Sequence, residues 1–224
     1  LFWFFIEGIF FGRSGPNKKQ KMNNQMIFVR IATINDIKYV DDILKETEAS
    51  AIARGTGIAK RTPESVAQKM RAGKAVIAIT SAGRWVGFSY FEVWEQGKFV
   101  SNSGLIVAPE FRHSGVAKSI KARIFKISRR MYPEAKIFSI TSGTSVMKMN
   151  TSLGFQPVAF SEITHDEHFW EGCKSCPNYD ILERKGKCNC LCTAMLFDPA
   201  AKANDGILSG YELLPGYRSV AIHH

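Results

Sequence analysis

Between residues 74 and 107 the chain offers three β-prone runs separated by only two short turns, and this arrangement leaves few folds open. Val76, Ile77 and Ile79 lead to Ser81, Ala82 and Gly83; residues 85–94 follow, then Gln96 and Gly97, then residues 99–107 up to Pro109. Turns this short join neighbouring strands antiparallel, so the spacing predicts a three-stranded meander. After the proline, Val116, Ala117, Ile120, Ile124 and Ile127 recur at helical spacing, with Lys118, Lys121, Arg129 and Arg130 largely on other faces. A long, basic, amphipathic helix over 114–130 is expected.

Upstream, residues 27–32 read as a strand, and 33–36 as the polar cap of a helix with Ile37, Val40, Ile43 and Leu44 on one side. Residues 53–61 have no clear periodicity and read as a loop, until Thr62 and Pro63 start a second helix that ends near Gly73. Downstream, 137–141 is a strand, 145–153 a short helix and 155–163 a strand. Residues 164–187 read as a Cys-containing insertion before a last strand over 188–197.

A length of 224 residues, 45% hydrophobic and 22% charged, suits one substantial core. The formal charge of +10 points to an anionic partner. The apolar run over 1–11 contains Glu7 and is too short to span a bilayer, and its basic neighbours Arg13, Lys18 and Lys19 follow it, unlike those of a secretory signal. The expectation is a cytoplasmic protein with no membrane partner and one domain over 26–198. Residues 1–25 read as a non-native or disordered leader, with the natural start at Met22 or Met26, and 199–224 as a flexible tail.

The junction between the meander and the long helix carries the chemistry. Leu105, Ile106 and Val107 end a strand, Pro109 breaks it, and Arg112, His113, Ser114, Gly115, Val116 and Ala117 lead into the helix. The first turn of a helix leaves backbone N–H groups without partners, and its dipole adds about half a positive charge there. A pyrophosphate is stabilised on both counts. Gly115 and Ala117 are small where phosphate oxygens must approach the main chain, and Ser114 suits a helix cap. A tight strand-to-helix connection would use the same residues.

With Val107, Ala108 and Pro109 before it and Leu153, Gly154 and Phe155 downstream, the stretch resembles the acyl-CoA loop of the GNAT superfamily. That loop reads Arg or Gln, two residues, Gly, one residue, then Gly or Ala, matched by Arg112, Gly115 and Ala117. The resemblance covers residues 27 to about 163 and the last strand. It implies an α/β (α+β) GNAT fold, a mixed, mostly antiparallel twisted sheet of about seven strands flanked by about four helices. It also implies an acyl-CoA-dependent N-acyltransferase, with acetyl-CoA or another acyl-CoA as cosubstrate and a small-molecule amine as acceptor, reacting by direct attack on the thioester. Leu105, Ile106 and Val107 would then splay from the neighbouring strand to bond the pantetheine. A backbone N–H near Ile106 or Val107 would hold the oxyanion, and Lys118 or Lys121 the adenosine phosphates.

The sequence also departs from that pattern. Asn150 stands four before Gly154, where the family usually has a Tyr that protonates the leaving thiolate; an amide does not do this usefully, so water or another side chain is left as the acid. No carboxylate lies on 99–107, so Glu92 and Glu95 on the preceding strand are the nearest candidate bases, with an exposed charge at a sheet end the plainer reading. In this fold the loop between the first two helices lies over the acceptor. There Arg54, Lys60 and Arg61 favour a carboxylate-bearing acceptor such as glutamate, although a solvated basic loop explains them too. The stretch from Val146 to Phe155, with the insertion after it, is similar to a GNAT subgroup that N-acylates amino acids in arginine synthesis.

Five cysteines fall within twenty residues, which is not a disulfide framework and argues for a metal or a local redox role. Cys173 and Cys176 form a Cys-x-x-Cys knuckle, while Cys188, Cys190 and Cys192 alternate and would share one face of a strand. Four thiolates suffice for structural zinc; Cys173, Cys176, Cys190 and Cys192 are the expected set, the last two chosen on the subgroup resemblance. Ordinary core positions and an iron–sulfur or redox role are the alternatives. A rival to the enzyme is a non-catalytic acyl-CoA-binding or nucleic-acid- or protein-binding module on the same fold, which the missing Tyr and strand carboxylate favour. Nucleic acid is set aside because the basic helix lacks aromatic platforms or a recognition element. A homodimer is left open.

Overall fold

The computed structural model describes residues 25–55 and 60–204; the expectations for the leader and for the tail beyond residue 204 fall outside the described residues. Strand β1 (Ile27–Ile31) runs into a 3-10 turn (Ile34–Tyr39) and then helix α1 (Val40–Arg54). Asp36 fixes this entry. Its carboxylate accepts the Thr33 backbone N–H at 2.7 Å and both terminal guanidinium nitrogens of Arg30 at 2.7 and 2.8 Å. Helix α1 stops at Gly55, whose left-handed backbone (φ 59°) turns its N–H onto the carbonyls of Ala51 and Ile52. Arg54 is therefore the last helical residue and not part of a loop, because the good helix formers Ala51 and Ala53 carry the helix to the first residue able to reverse it.

Helix α2 (Pro63–Arg71) starts as its sequence dictates: Thr62 accepts the Ser65 N–H at 3.1 Å, and Pro63 sits where no amide is needed. Thr62→Ala is expected to lower the unfolding free energy by about 1 kcal/mol. A urea midpoint unchanged from the native chain would remove Thr62 as the cap.

The meander forms as expected from β2 (Ala75–Thr80), β3 (Trp85–Trp94) and β4 (Phe99–Val107). Helix α3 (Val116–Met131), β5 (Lys136–Thr141), helix α4 (Thr144–Ser152), β6 (Gln156–Val158) and β7 (Thr193–Phe197) complete a seven-stranded sheet of order β1-β2-β3-β4-β5-β7-β6. Neighbours are antiparallel except β4 and β5, which run parallel. The strand expected over 155–163 shrinks to its first part: β6 is an edge strand, and Glu162 accepts the Ala159 N–H at 2.9 Å, turning the chain into a 3-10 turn. The last strand is also shorter than expected, beginning at Thr193 and not at Cys188.

Two-residue alternation along β5 and β7 decides how the insertion is used. Ile137, Met195 and Phe197 join the main core with Ile120, Ile124 and Ile127 of α3, whereas Phe138, Ala194 and Leu196 belong to a second apolar cluster. That second cluster is completed by Phe160 and Ile163 just before the insertion and, within it, by Trp170 of helix α5 (Glu167–Glu171) and Leu182 of helix α6 (Tyr179–Arg184). With α7 (Pro199–Asn204), the described residues hold seven α-helices against about four expected. The additional three have only five or six residues each, too few for periodicity to register. Among the described residues no helix is long and apolar enough to cross a membrane.

Candidate active site

Strands β4 and β5 pair only at Phe99–Lys136, Val100–Ile137 and Ser101–Phe138, then separate. The cause lies on the other edge of β4. Between the pairs Tyr90–Ser103 and Phe88–Ile106, β4 spends one residue more than β3, a bulge at which Gly104 takes a φ of +65°. A bulge bends its strand and increases its twist, which turns the end of β4 away from β5. Gly104 is required twice over: its φ is one that side chains rarely adopt, and a Cβ would stand 2.4 Å from the Tyr90 ring.

Where the strands part there is an opening of about 200 Å³. Asn102, Leu105 and Ile106 line it from β4, Ser139 from β5 and Lys121 from α3, and Arg54 and Arg61 line it as well. The Asn102 Nδ2 donates to Ser128 Oγ at 2.8 Å, while its buried Oδ1 has no partner among the described residues. A ligand N–H would satisfy that acceptor.

The segment leaving β4 is held rigidly up to the helix. The Ala108 N–H donates to the Val86 carbonyl at 2.9 Å, Phe111 is buried, and the Arg112 Nε donates to the Val107 carbonyl at 3.1 Å. Arg112 also reaches Ser50 at 2.8 Å and pairs with Glu46, both on α1. Its guanidinium thus clamps the loop to α1. Ser114 is not the helix cap: its hydroxyl donates to the Phe111 carbonyl at 2.6 Å, and the cap position belongs to Gly115 in left-handed conformation (φ 82°). His113 is left-handed as well (φ 64°) and exposed. The first backbone bond of α3 runs from the Ser119 N–H to the Gly115 carbonyl at 3.2 Å, so the amides of Val116, Ala117 and Lys118 have no acceptor within the helix. Gly115 faces open space, and Lys118 is exposed beside it.

A second cavity, of about 390 Å³, adjoins the first through Arg61 and Cys192, which line both. Arg61 donates from Nε to the Tyr90 hydroxyl at 2.8 Å and lies 5.4 Å over that ring. Glu92 lines the cavity in an ion pair with Lys69. Lys60 lines it too, its backbone N–H bonded to Ser175 Oγ at 2.8 Å, so the loop before α2 rests on the insertion. Trp94, Phe169, Trp170 and Tyr179 give the cavity an aromatic wall. Two sequence candidates stand elsewhere. Glu95 accepts the Thr164 hydroxyl at 2.8 Å and the His165 N–H at 2.7 Å, pinning the insertion. Asn150 is fully buried with its Nδ2 3.5 Å from Met195 Sδ and lines neither cavity, so its side chain does not meet the site as expected of a catalytic residue.

Lys121, expected off the apolar face of the helix and offered with Lys118 to the adenosine phosphates, is 2% exposed. It follows Ile120 and precedes Ile124 by three, which puts it inside the buried arc; the periodicity carried this signal, and residue type masked it. Its Nζ lies 3.4 Å from Ser139 Oγ and 5.6 Å over the Phe155 ring. Burial lowers its pKa to about 7. Tyr90 and Lys69 are further lining residues that sequence reasoning did not single out.

The cysteines do not meet the zinc expectation. Residues 188–192 bend through a loop with Leu191 63% exposed, so alternation on a strand face does not apply to Cys188, Cys190 and Cys192. Cys173, Cys176, Cys190 and Cys192 feel one another's charge, yet among the described residues no three His, Cys, Asp or Glu side chains stand as a metal-holding group. Burial, then the nearby thiolates, pushes Cys173 up to about 11. Cys190 is lowered to about 6 because it accepts from the Cys192 thiol and from the Cys192 amide, the latter at 3.2 Å; Cys192 is pushed up correspondingly.

No protein-family model matches this chain, and no curated protein matches it. Solved structures do. N-acetylglutamate synthase from Neisseria gonorrhoeae, complexed with coenzyme A and N-acetyl-glutamate, aligns with 77% of this chain at a TM-score of 0.55 and 14% identity. The chain covers 35% of that enzyme, about a third of its length. A Mycobacterium tuberculosis protein in complex with CoA aligns with 76% of this chain, covered to 98% of its own, at a TM-score of 0.54 and 16% identity. A GNAT superfamily phosphinothricin acetyltransferase from Sinorhizobium meliloti in complex with AcCoA aligns with 77%, covered to 88%, at 0.52 and 14% identity. The chain has the GNAT acetyltransferase fold, and its seven-stranded mixed sheet is the sheet of that fold.

Proposed function

We propose that this chain is an acyl-CoA-dependent N-acyltransferase that moves an acetyl or other short acyl group to the primary amine of a small, carboxylate-bearing acceptor. The parting of β4 from β5 carries the reading, because it frees main-chain groups of β4 beside a buried slot. A thioester carbonyl entering that slot would meet a β4 amide as its oxyanion donor, and the Asn102 Oδ1 suits a pantetheine N–H. The unpaired amides of Val116, Ala117 and Lys118, with Gly115 leaving the approach open, suit the diphosphate. A formal charge of +10 draws so anionic a cosubstrate. The coenzyme A found in the Neisseria and Mycobacterium structures supports the same reading.

The acceptor would enter through the larger cavity and reach the slot at Arg61. Arg54 and Arg61 suit its carboxylate, and Glu92 is the cavity's carboxylate available to take the ammonium proton. An amino acid fits these groups, and the N-acetyl-glutamate of the Neisseria synthase supports that class. The test is thiol release from acetyl- and succinyl-CoA against amino acids, glutamate first and aromatic ones next, since the cavity wall is aromatic. Turnover with an amino acid is the expected result. Asn150, turned into the core, favours one second reading, a module that binds CoA without turnover; heat of CoA binding with no thiol release from any amine would establish it.

A further inference from the structure

Ser101–Phe138 is the last pair joining β4 to β5, so Ser139 is the first residue of β5 beyond the junction. The Lys121 Nζ is hydrogen-bonded to that serine, at the apex of the slot through which the thioester would reach the acceptor. It forms no ion pair among the described residues. Among the described residues, the charged and titratable groups that line the slot with it are Arg54, Arg61 and Cys192, and none is a carboxylate. A lysine so enclosed has one property a methionine of the same reach lacks, an exchangeable proton. Asn150, meanwhile, is buried with its amide turned to Met195 and lines neither cavity, so it supplies no proton there.

Resting on the acyltransferase reading above, we infer that Lys121 is a catalytic residue, the acid that protonates the sulfur of the departing coenzyme. The acceptor's neutral amine attacks the thioester carbonyl carbon and forms the C–N bond, and its surplus N–H proton passes to water. The tetrahedral intermediate collapses, the C–S bond breaks and its electron pair stays on sulfur. The Lys121 ammonium gives one proton to that sulfur, yielding an amide, a thiol and a neutral amine, which regains a proton from solvent. An acid that titrates to about 7 is matched to this task at neutral pH, where an ordinary lysine would hold its proton too tightly.

The experiment compares native protein, Lys121→Met and Lys121→Arg, with acetyl-CoA binding followed by calorimetry and kcat followed from pH 5.5 to 9 at about saturating amino acid. The native kcat is expected to fall above pH ~7, as the acid loses its proton. Lys121→Met is expected to bind acetyl-CoA, to lose about 10²-fold in kcat and to lose that alkaline limb. Lys121→Arg keeps the charge but holds its proton, and is expected to stay impaired. Restoration of rate by arginine would make Lys121 a fixed cation and overturn the inference, as would a Lys121→Met enzyme with native kcat and native limb. If the native chain binds no acetyl-CoA, the acyltransferase reading itself falls and takes this one with it. Native turnover with an indifferent Lys121→Met removes this inference alone.

Discussion

At pH 7 Lys121→Met is expected to be more stable than the native chain by about 4 kcal/mol, and to lose that advantage as the pH rises. Burial lowers Lys121 from the ordinary 10.5 to about 7. Between those values the unfolded chain holds more protons than the folded one, so native stability climbs with pH across that window. Below about pH 7 the lysine is charged in both states and the whole cost of burying it is felt; above about 10.5 it is neutral in both and the cost is gone. Methionine has a similar reach and no charge to desolvate, so the variant lacks this dependence. Urea unfolding of both proteins at pH 6, 8 and 10 measures it. A gap that does not change with pH, or a native chain more stable at pH 7, would mean that the amine finds its proton as easily inside as outside. The cost makes sense if Lys121 works for a living reaction, since active sites commonly retain groups that destabilise the fold.

Gly104→Ala is expected to be the most damaging single methyl on β4. The added carbon would meet Tyr90 Cε1 at 2.4 Å and Cδ1 at 2.8 Å, and the residue would be held at a φ of +65°. Two relaxations are open, and each harms the site. If the ring moves, Arg61 loses the hydroxyl that orients it between the two cavities. If the bulge straightens, β4 shifts register against β3 and the slot beside β5 narrows. A loss of about 2–3 kcal/mol in stability and about 10²-fold in kcat/KM for thiol release is expected. Native values for both would falsify the role given to the bulge, and native stability with lost rate would assign Gly104 to the slot alone.

How legible this site was depended on whether its causes are local. Thr62 and Pro63 announced a helix start because a cap is made within three residues, and the meander was readable from its two turns. Arg112, Gly115 and Ala117 lie on the turn between β4 and α3 where their spacing put them, yet two partners of Arg112, Glu46 and Ser50, lie more than sixty positions away on α1, beyond any local pattern. Ser114 resembled a cap because serine caps helices, but a left-handed Gly115 took the position. The cysteines misled in the same manner: their alternation suggested a strand, and the chain bends there instead.

The order of the strands and of the four longer helices, the net positive charge and the presence of an open helix end after Pro109 follow from residue pattern alone, since turn chemistry, periodicity and unpaired first-turn amides are properties of neighbours along the chain. Tertiary structure alone decided where β4 leaves β5, that Lys121 is enclosed between them, and that Arg61 joins the two cavities. Those outcomes depend on a single extra residue in a cross-strand register and on which face of α3 the sheet covers, and both are settled only when distant segments pack.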